Sequence, residues 1–158
     1  MRCGLALALA ATACVRAPAA PEAPVGECTR DTPLVEGVPG SPGHLISSEL
    51  HPEGASELAT LMRTMQGDLK QAREALSAGG RAAPMLARHR RIRCAWPTSP
   101  SDRAGAFDEL AAGYLRRVQA LDEAPADATA YGAVLGGCRA CHETTCPGPL
   151  AAIEALAL

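Results

Sequence analysis

Cys138, Arg139, Ala140, Cys141 and His142 spell C-x-x-C-H near the end of the 158-residue chain. Two thiols at this spacing can form thioether bonds to the vinyl groups of a haem, and the adjacent imidazole then reaches the iron. The same dipeptide spacing serves dithiol oxidoreductases and zinc sites. A dithiol site asks for a preceding strand in a βαβ pattern, whereas the residues before Cys138 have helical character. A zinc site asks for a second close pair of Cys or His, and Cys146 with the scattered His44, His51 and His89 supplies none. Covalent haem attachment through Cys138 and Cys141, with His142 as proximal iron ligand, is therefore the reading the spacing favours. A structural disulfide or a metal pair is the alternative.

Such attachment happens on reduced thiols after export, and the front of the chain carries an export signal. Met1 and Arg2 precede an apolar run from Leu5 to Ala13, a charged region and hydrophobic core too short to span a bilayer. Ala11, Thr12 and Ala13 place small residues before Cys14, a pattern similar to a bacterial lipobox, with Ala11 standing where Leu is usual. An ordinary A-x-A cleavage site fits the same residues. Lipidation at Cys14 would hold the protein on a membrane surface, because more than one acyl chain gives stable anchoring. Residues 1–13 are thus expected to be a signal peptide and the mature protein to be periplasmic. Residues 14–48, rich in Pro, Gly and Ala, read as a disordered tether.

The elements that must position the pentapeptide are helical. Apolar residues make up 47% of the chain, charged residues 20% and aromatics 3%, which suits a single Ala/Leu-rich helical core. A formal charge of -2 supplies no positive surface for nucleic acid. A first helix is expected from about Pro52 to Ser77, with Leu58, Leu61, Met62, Met65, Leu69, Ala72 and Leu76 at helical spacing. A second is expected from about Ala82 to Arg93. A third begins near Ser101 or Asp102 and carries Phe107, Leu110, Ala111, Tyr114, Val118 and Leu121. The fourth, from about Ala126 to Thr144, presents Tyr131, Val134, Leu135 and Cys138 on its inner side. Short connections imply an all-α, antiparallel, up-down-up-down four-helix bundle over residues 49–146, followed by a short helix in 147–158.

A helical bundle with C-x-x-C-H on its last long helix resembles the class II c-type cytochromes, the cytochrome c prime family. The stretch Tyr131-Gly-Ala-Val-Leu-Gly-Gly-Cys138-Arg-Ala-Cys141-His142 resembles the family's approach to its haem, and Leu61-Met62-Arg63-Thr64-Met65-Gln66-Gly67-Asp68-Leu69 resembles its distal helix. The likeness covers roughly residues 50–145. It implies haem c as cofactor, dimerisation through the first two helices, and a distal position that aligns with Met62. A methionine there implies a six-coordinate electron carrier, and a poor ligand a five-coordinate, gas-responsive haem. Met65 is the substitute ligand, with Met85 and His89 behind it; an ordinary core methionine is the bland alternative for Met62. Leu58 stands where the family usually has arginine, and Thr145 and Cys146 replace the aromatic and basic residues after its histidine.

Three cysteines remain for other work. In an up-down bundle Cys94 and Cys146 fall at one end, so they are the expected disulfide, although Cys28 could pair with either. His89 is expected on a helix face beside Arg88, Arg90 and Arg91. The basic turn of Arg88, Arg90, Arg91 and Arg93 either complements a helix dipole or meets a haem propionate or an acidic redox partner. No nucleophile and base pair suggests an enzyme. The expectation is an anchored one-electron carrier with a redox partner protein. A sensor of nitric oxide or carbon monoxide, and a haem-free disulfide-stapled lipoprotein, are the competing functions.

Overall fold

The computed structural model of the protein describes residues 28–158 other than 50 and 104. It is mostly helical, with five α-helices and one two-stranded sheet among the described residues. The long elements are α1 (Glu57–Ser77), α3 (Phe107–Glu123) and α4 (Ala128–Thr145). Between α1 and α3 lie the four-residue α2 (Leu86–His89) and a 3-10 turn over Arg90–Arg93. A short α5 (Leu150–Glu154) follows α4. The expected signal peptide over residues 1–13, and the expected lipidation site Cys14, fall outside the described residues.

Each long helix follows its apolar stripe. Leu58, Leu61, Met65, Leu69 and Ala72 are the buried positions of α1, separated by three or four residues as one helical face requires. On α3 the buried set includes Phe107, Ala111, Tyr114, Val118 and Leu121, and on α4 Tyr131, Val134 and Leu135. Val118, Leu121, Tyr131 and Val134 have no exposed surface at all. The Tyr131 hydroxyl lies 3.1 Å from the Leu69 carbonyl oxygen and 2.8 Å from that of Leu156, so its one proton is shared between α1 and the C-terminal segment.

Helix starts depart from the sequence expectation. Pro52 lies in a strand: β1 (Ile46–Ser48) pairs antiparallel with β2 (His51–Ala55), and α1 starts only at Glu57. Ser56 caps it, the Oγ accepting from the Ala59 amide at 3.1 Å, which satisfies one of the otherwise orphaned first-turn donors. The second helix is reduced to a single turn because Pro84 disfavours helical backbone at Ala83. Its start docks on α3, where the Asp122 carboxylate accepts from the amides of Met85 and Leu86 at 3.0 and 2.9 Å. Residues 100–103 form a 3-10 turn, and α3 begins at Phe107 beyond Gly105, whose φ of 64° lies outside the helical range.

The tether expectation fails for its described part. Val38 and Ser41 are buried, the Trp96 indole N–H donates to the Val35 carbonyl, and the Glu57 amide donates to that of Gly40 at 3.1 Å. Gly40 makes this docking possible: its φ is 90°, and a Cβ there would sit 2.2 Å from the Glu57 nitrogen. Composition alone could not reveal the strap, because the contacts that hold it are individually few and distant in sequence.

Candidate functional site

The pentapeptide occupies the last two turns of α4. Asp127 starts that helix, its carboxylate accepting from the Thr129 amide at 2.7 Å. Helical spacing then carries the buried stripe from Tyr131 through Val134 and Leu135 to Cys138 and Cys141. Gly137 brings α4 close to α3, since a Cβ at this position would lie 3.5 Å from the Tyr114 Cα. Cys138 is half-buried against the core and Cys141 is buried, while Cys146 is exposed; all three are free thiols.

The electrostatics of these thiols oppose ionisation. Burial, followed by the neighbouring Cys141, pushes the Cys138 thiol up to about 12, although a hydrogen bond with the Tyr114 hydroxyl pulls the other way. Burial also raises the Cys141 thiol, partly offset by Thr145. Both sit toward the carbonyl end of α4, where the helix dipole is negative and disfavours a thiolate. Dithiol oxidoreductases rely on the opposite arrangement, a thiolate stabilised at a helix N-terminus. Among the described residues no group of three or more His, Cys, Asp and Glu side chains is gathered as a metal site would require.

His142 is prepared differently. Its Nδ1 lies 2.8 Å from the Cys146 carbonyl oxygen, and because a carbonyl can only accept, Nδ1 carries the ring proton. The other nitrogen, Nε2, then keeps its lone pair for a metal, which is how a second-shell carbonyl ordinarily fixes a histidine ligand. The donor set therefore fits covalent haem attachment: two free thiols one turn apart and a tautomer-fixed imidazole beside them.

The residues expected as distal ligands to a haem separate by burial. Met65 is 5% exposed within the α1 stripe and Met85 4% exposed beneath the Asp122 cap, so both are committed to the core. Met62 is only half-buried, packed against the same cluster that Cys138 borders. His89 is not on an exposed helix face. It is fully buried, with Nδ1 2.7 Å from the Tyr114 hydroxyl and Nε2 3.1 Å from Asp68 Oδ2. Both its nitrogens are engaged, which leaves no lone pair for iron. Two cavities of about 320 and 470 Å³ open beside Trp96, and neither touches Cys138, Cys141 or His142.

The disulfide expectation is overturned. Cys94 bonds Cys28, with Cα atoms 5.4 Å apart, and Cys146 stays free. The strap folds back over the end of the 3-10 turn and brings Cys28 within bonding reach. The basic turn is also largely spoken for. Arg88 pairs with Asp68, Arg91 with Glu57 and Arg93 with Asp108, the last through two 2.9 Å bonds. These pairs clamp the turn onto α1 and α3. A helix of four residues has little dipole for them to complement.

Sequence reasoning missed Tyr114 and Asp68 as polar partners. Tyr114 reads as one more member of an apolar stripe, and Asp68 as a solvated helix residue; only a buried histidine between them gives either a role. Comparison with protein-family models, with curated proteins and with solved structures returned no match to this chain. Among the described residues no helix is long and apolar enough to cross a membrane.

Proposed function

We propose that this chain is an exported c-type cytochrome that carries one covalent haem on Cys138 and Cys141 and passes single electrons to and from a partner protein. The observation that carries the reading is the C-x-x-C-H sequence on α4 with the His142 proton held by the Cys146 carbonyl. Haem supplies, when bound, a one-electron iron centre whose potential depends on its axial ligands and burial. The protein's part is to hold it: Cys138 and Cys141 fix its edge, His142 offers Nε2, and the α3–α4 contact at Gly137 keeps water from that side. Met62 is the distal ligand in this proposal. Its thioether favours the ferrous state and closes the position to small gases.

The same proposal arranges the helices up-down-up-down, with the α2 turn as the short second limb. Support comes from the ends. The Leu58 amide donates to the Trp96 carbonyl at 2.9 Å and Arg93 pairs with Asp108, bringing the starts of α1 and α3 together. At the other end the Ala82 amide donates to the Pro125 carbonyl at 2.7 Å. In that arrangement, with Leu69 joined to Tyr131, seven residues along each helix (about 10.5 Å at 1.5 Å per residue) bring Met62 level with Cys138. The Cys28–Cys94 disulfide supports an oxidising compartment, and Cys14 is the proposed lipid anchor there.

The full chain, produced with a haem-maturation system, is expected to give a pyridine haemochrome spectrum of one thioether-linked haem, lost in Cys138→Ala with Cys141→Ala. A chain without haem absorbance would overturn the proposal. A far-red thioether-to-iron band in the ferric spectrum, abolished by Met62→Ala, would establish the distal ligand. Its absence from the unmodified protein would favour an open, gas-binding site.

A further inference from the structure

Asp68, His89 and Tyr114 form a hydrogen-bonded line that runs inward from the surface to the face of α4 at Gly137, the residue before Cys138. Asp68 on α1 keeps 15% of its side chain exposed and is paired outward with Arg88. Inward it meets His89 Nε2 at 3.1 Å, and His89 Nδ1 meets the Tyr114 hydroxyl at 2.7 Å. The Tyr114 ring packs on α4 beside Cys138: a Cβ on Gly137 would lie 3.4 Å from its Cδ2. The side chain of His89 has no exposed surface.

The protonation pattern follows from what each atom can do. A carboxylate only accepts, so Nε2 carries the imidazole proton toward Asp68, and Nδ1 accepts from Tyr114. This is the neutral form, and burial of the ring favours it, holding His89 below the ordinary histidine value. A second proton on the ring must go to Nδ1. The Tyr114 hydroxyl then becomes the acceptor there and has to turn its own proton away from the ring. One protonation thus places a positive charge on His89 and reorients the Tyr114 hydroxyl next to the helix turn that carries Cys138 and Cys141.

We infer that His89 takes up a proton from solvent when the iron gains an electron, the two charges coupling through Tyr114, which packs on the α4 turn that carries Cys138. This rests on the cytochrome reading above. The balance is simple: an external one-electron donor converts ferric to ferrous iron, one solvent proton binds His89 Nδ1, and the net charge of the site is unchanged. Charges facing the ring set the size of the effect. Asp68 on α1 and Asp122 on α3 favour the imidazolium, and Arg88 beside it opposes. Tyr114 faces it as a neutral group, since burial raises its hydroxyl well above the ordinary tyrosine value.

The test is the midpoint potential of the haem-loaded full chain between pH 5 and 8, beside His89→Gln. The unmodified protein is expected to show a component that falls with rising pH and approaches about 59 mV per pH unit, one proton per electron. His89→Gln is expected to lack that component while keeping any contribution from haem propionates. Identical pH profiles in the two proteins would overturn the inference. Should His89→Gln fail to fold, NMR titration of the His89 ring in the ferric and ferrous forms of the unmodified protein replaces it. A higher pKa in the ferrous form supports the coupling and equal values overturn it. A pyridine haemochrome assay on the same sample separates the two failures: absent haem sinks the cytochrome reading, whereas bound haem with equal profiles sinks only this inference.

Discussion

The long helices and the strap over residues 28–56 are held by different physics. In α1, α3 and α4 the specification is distributed: Leu58, Leu61, Leu69, Val118, Leu121 and Val134 each lose water on the same apolar interior, and each adds roughly 1.5–3 kcal/mol of transfer free energy. The strap buries little and is fixed at points. One disulfide joins it to the 3-10 turn, one glycine lets it touch the start of α1, and one indole hydrogen bond secures it near Val35. A distributed interface tolerates a poor contact anywhere, while a pointwise one fails where its single contact is lost. Cys138 and Cys141 sit in the first kind of region, which suits the proposed cofactor, since it would be gripped along a whole edge.

Three perturbations sharpen that contrast. Reducing Cys28–Cys94 opens a 66-residue separation and is expected to lower stability by about 4 kcal/mol in the chain-entropy model. Hydrogen exchange should rise first at the amides of Gly40, Ser41, His44 and Glu57, which the strap holds, with α3 amides still protected. Uniform loss of protection across both regions would show that the strap and helices are one cooperative unit. Leu121→Ala should remove about 3 kcal/mol, because the residue is fully buried and the surrounding helices cannot collapse into the void. The shift in denaturant midpoint should appear equally in probes of α1, α3 and α4.

The smallest effect comes from His89, which is buried between α1 and α3 and bonds to Asp68 and Tyr114. Its folded pKa is lowered by burial, so below about pH 6.5 the unfolded chain binds a proton that the folded chain resists. Stability should therefore fall as pH drops from about 6.5 toward the folded value, by up to about 1.4 kcal/mol per pH unit. Asp108 acts in a lower window: its carboxyl is held down chiefly by the Arg93 hydrogen bond, and its contribution is lost only as pH falls below the ordinary Asp range. Unfolding curves at pH 5.5 and 7 thus isolate His89, and a stability that is level between them contradicts the buried neutral ring.

What could be read in the sequence was whatever repeats or sits at fixed local spacing. The stripes of α1, α3 and α4 are periodic, and the C-x-x-C-H pentapeptide is contiguous. The helical character of the chain was therefore legible, as was the position of the cysteines on the last long helix, while the attachment chemistry is the proposal that this spacing motivates. The boundaries at Pro52 and Asp102 were less so, because a turn of sheet and a 3-10 turn compete with helix on small local margins. His89 shows the limit most clearly. Beside three arginines it reads as a surface residue, and nothing local announces that Asp68, twenty-one positions earlier, and Tyr114, twenty-five later, will close around it.

The sequence by itself determined the secondary structure of the three long helices and the spacing of Cys138, Cys141 and His142 on one of them, because both depend on neighbours within one or two turns. Tertiary structure alone decided that Cys28 rather than Cys146 meets Cys94, that three arginines clamp the turn onto its neighbouring helices, and that the His142 proton faces a carbonyl. Those outcomes depend on which distant groups arrive within bonding distance, and burial and pairing energies become defined only after the chain has closed around them.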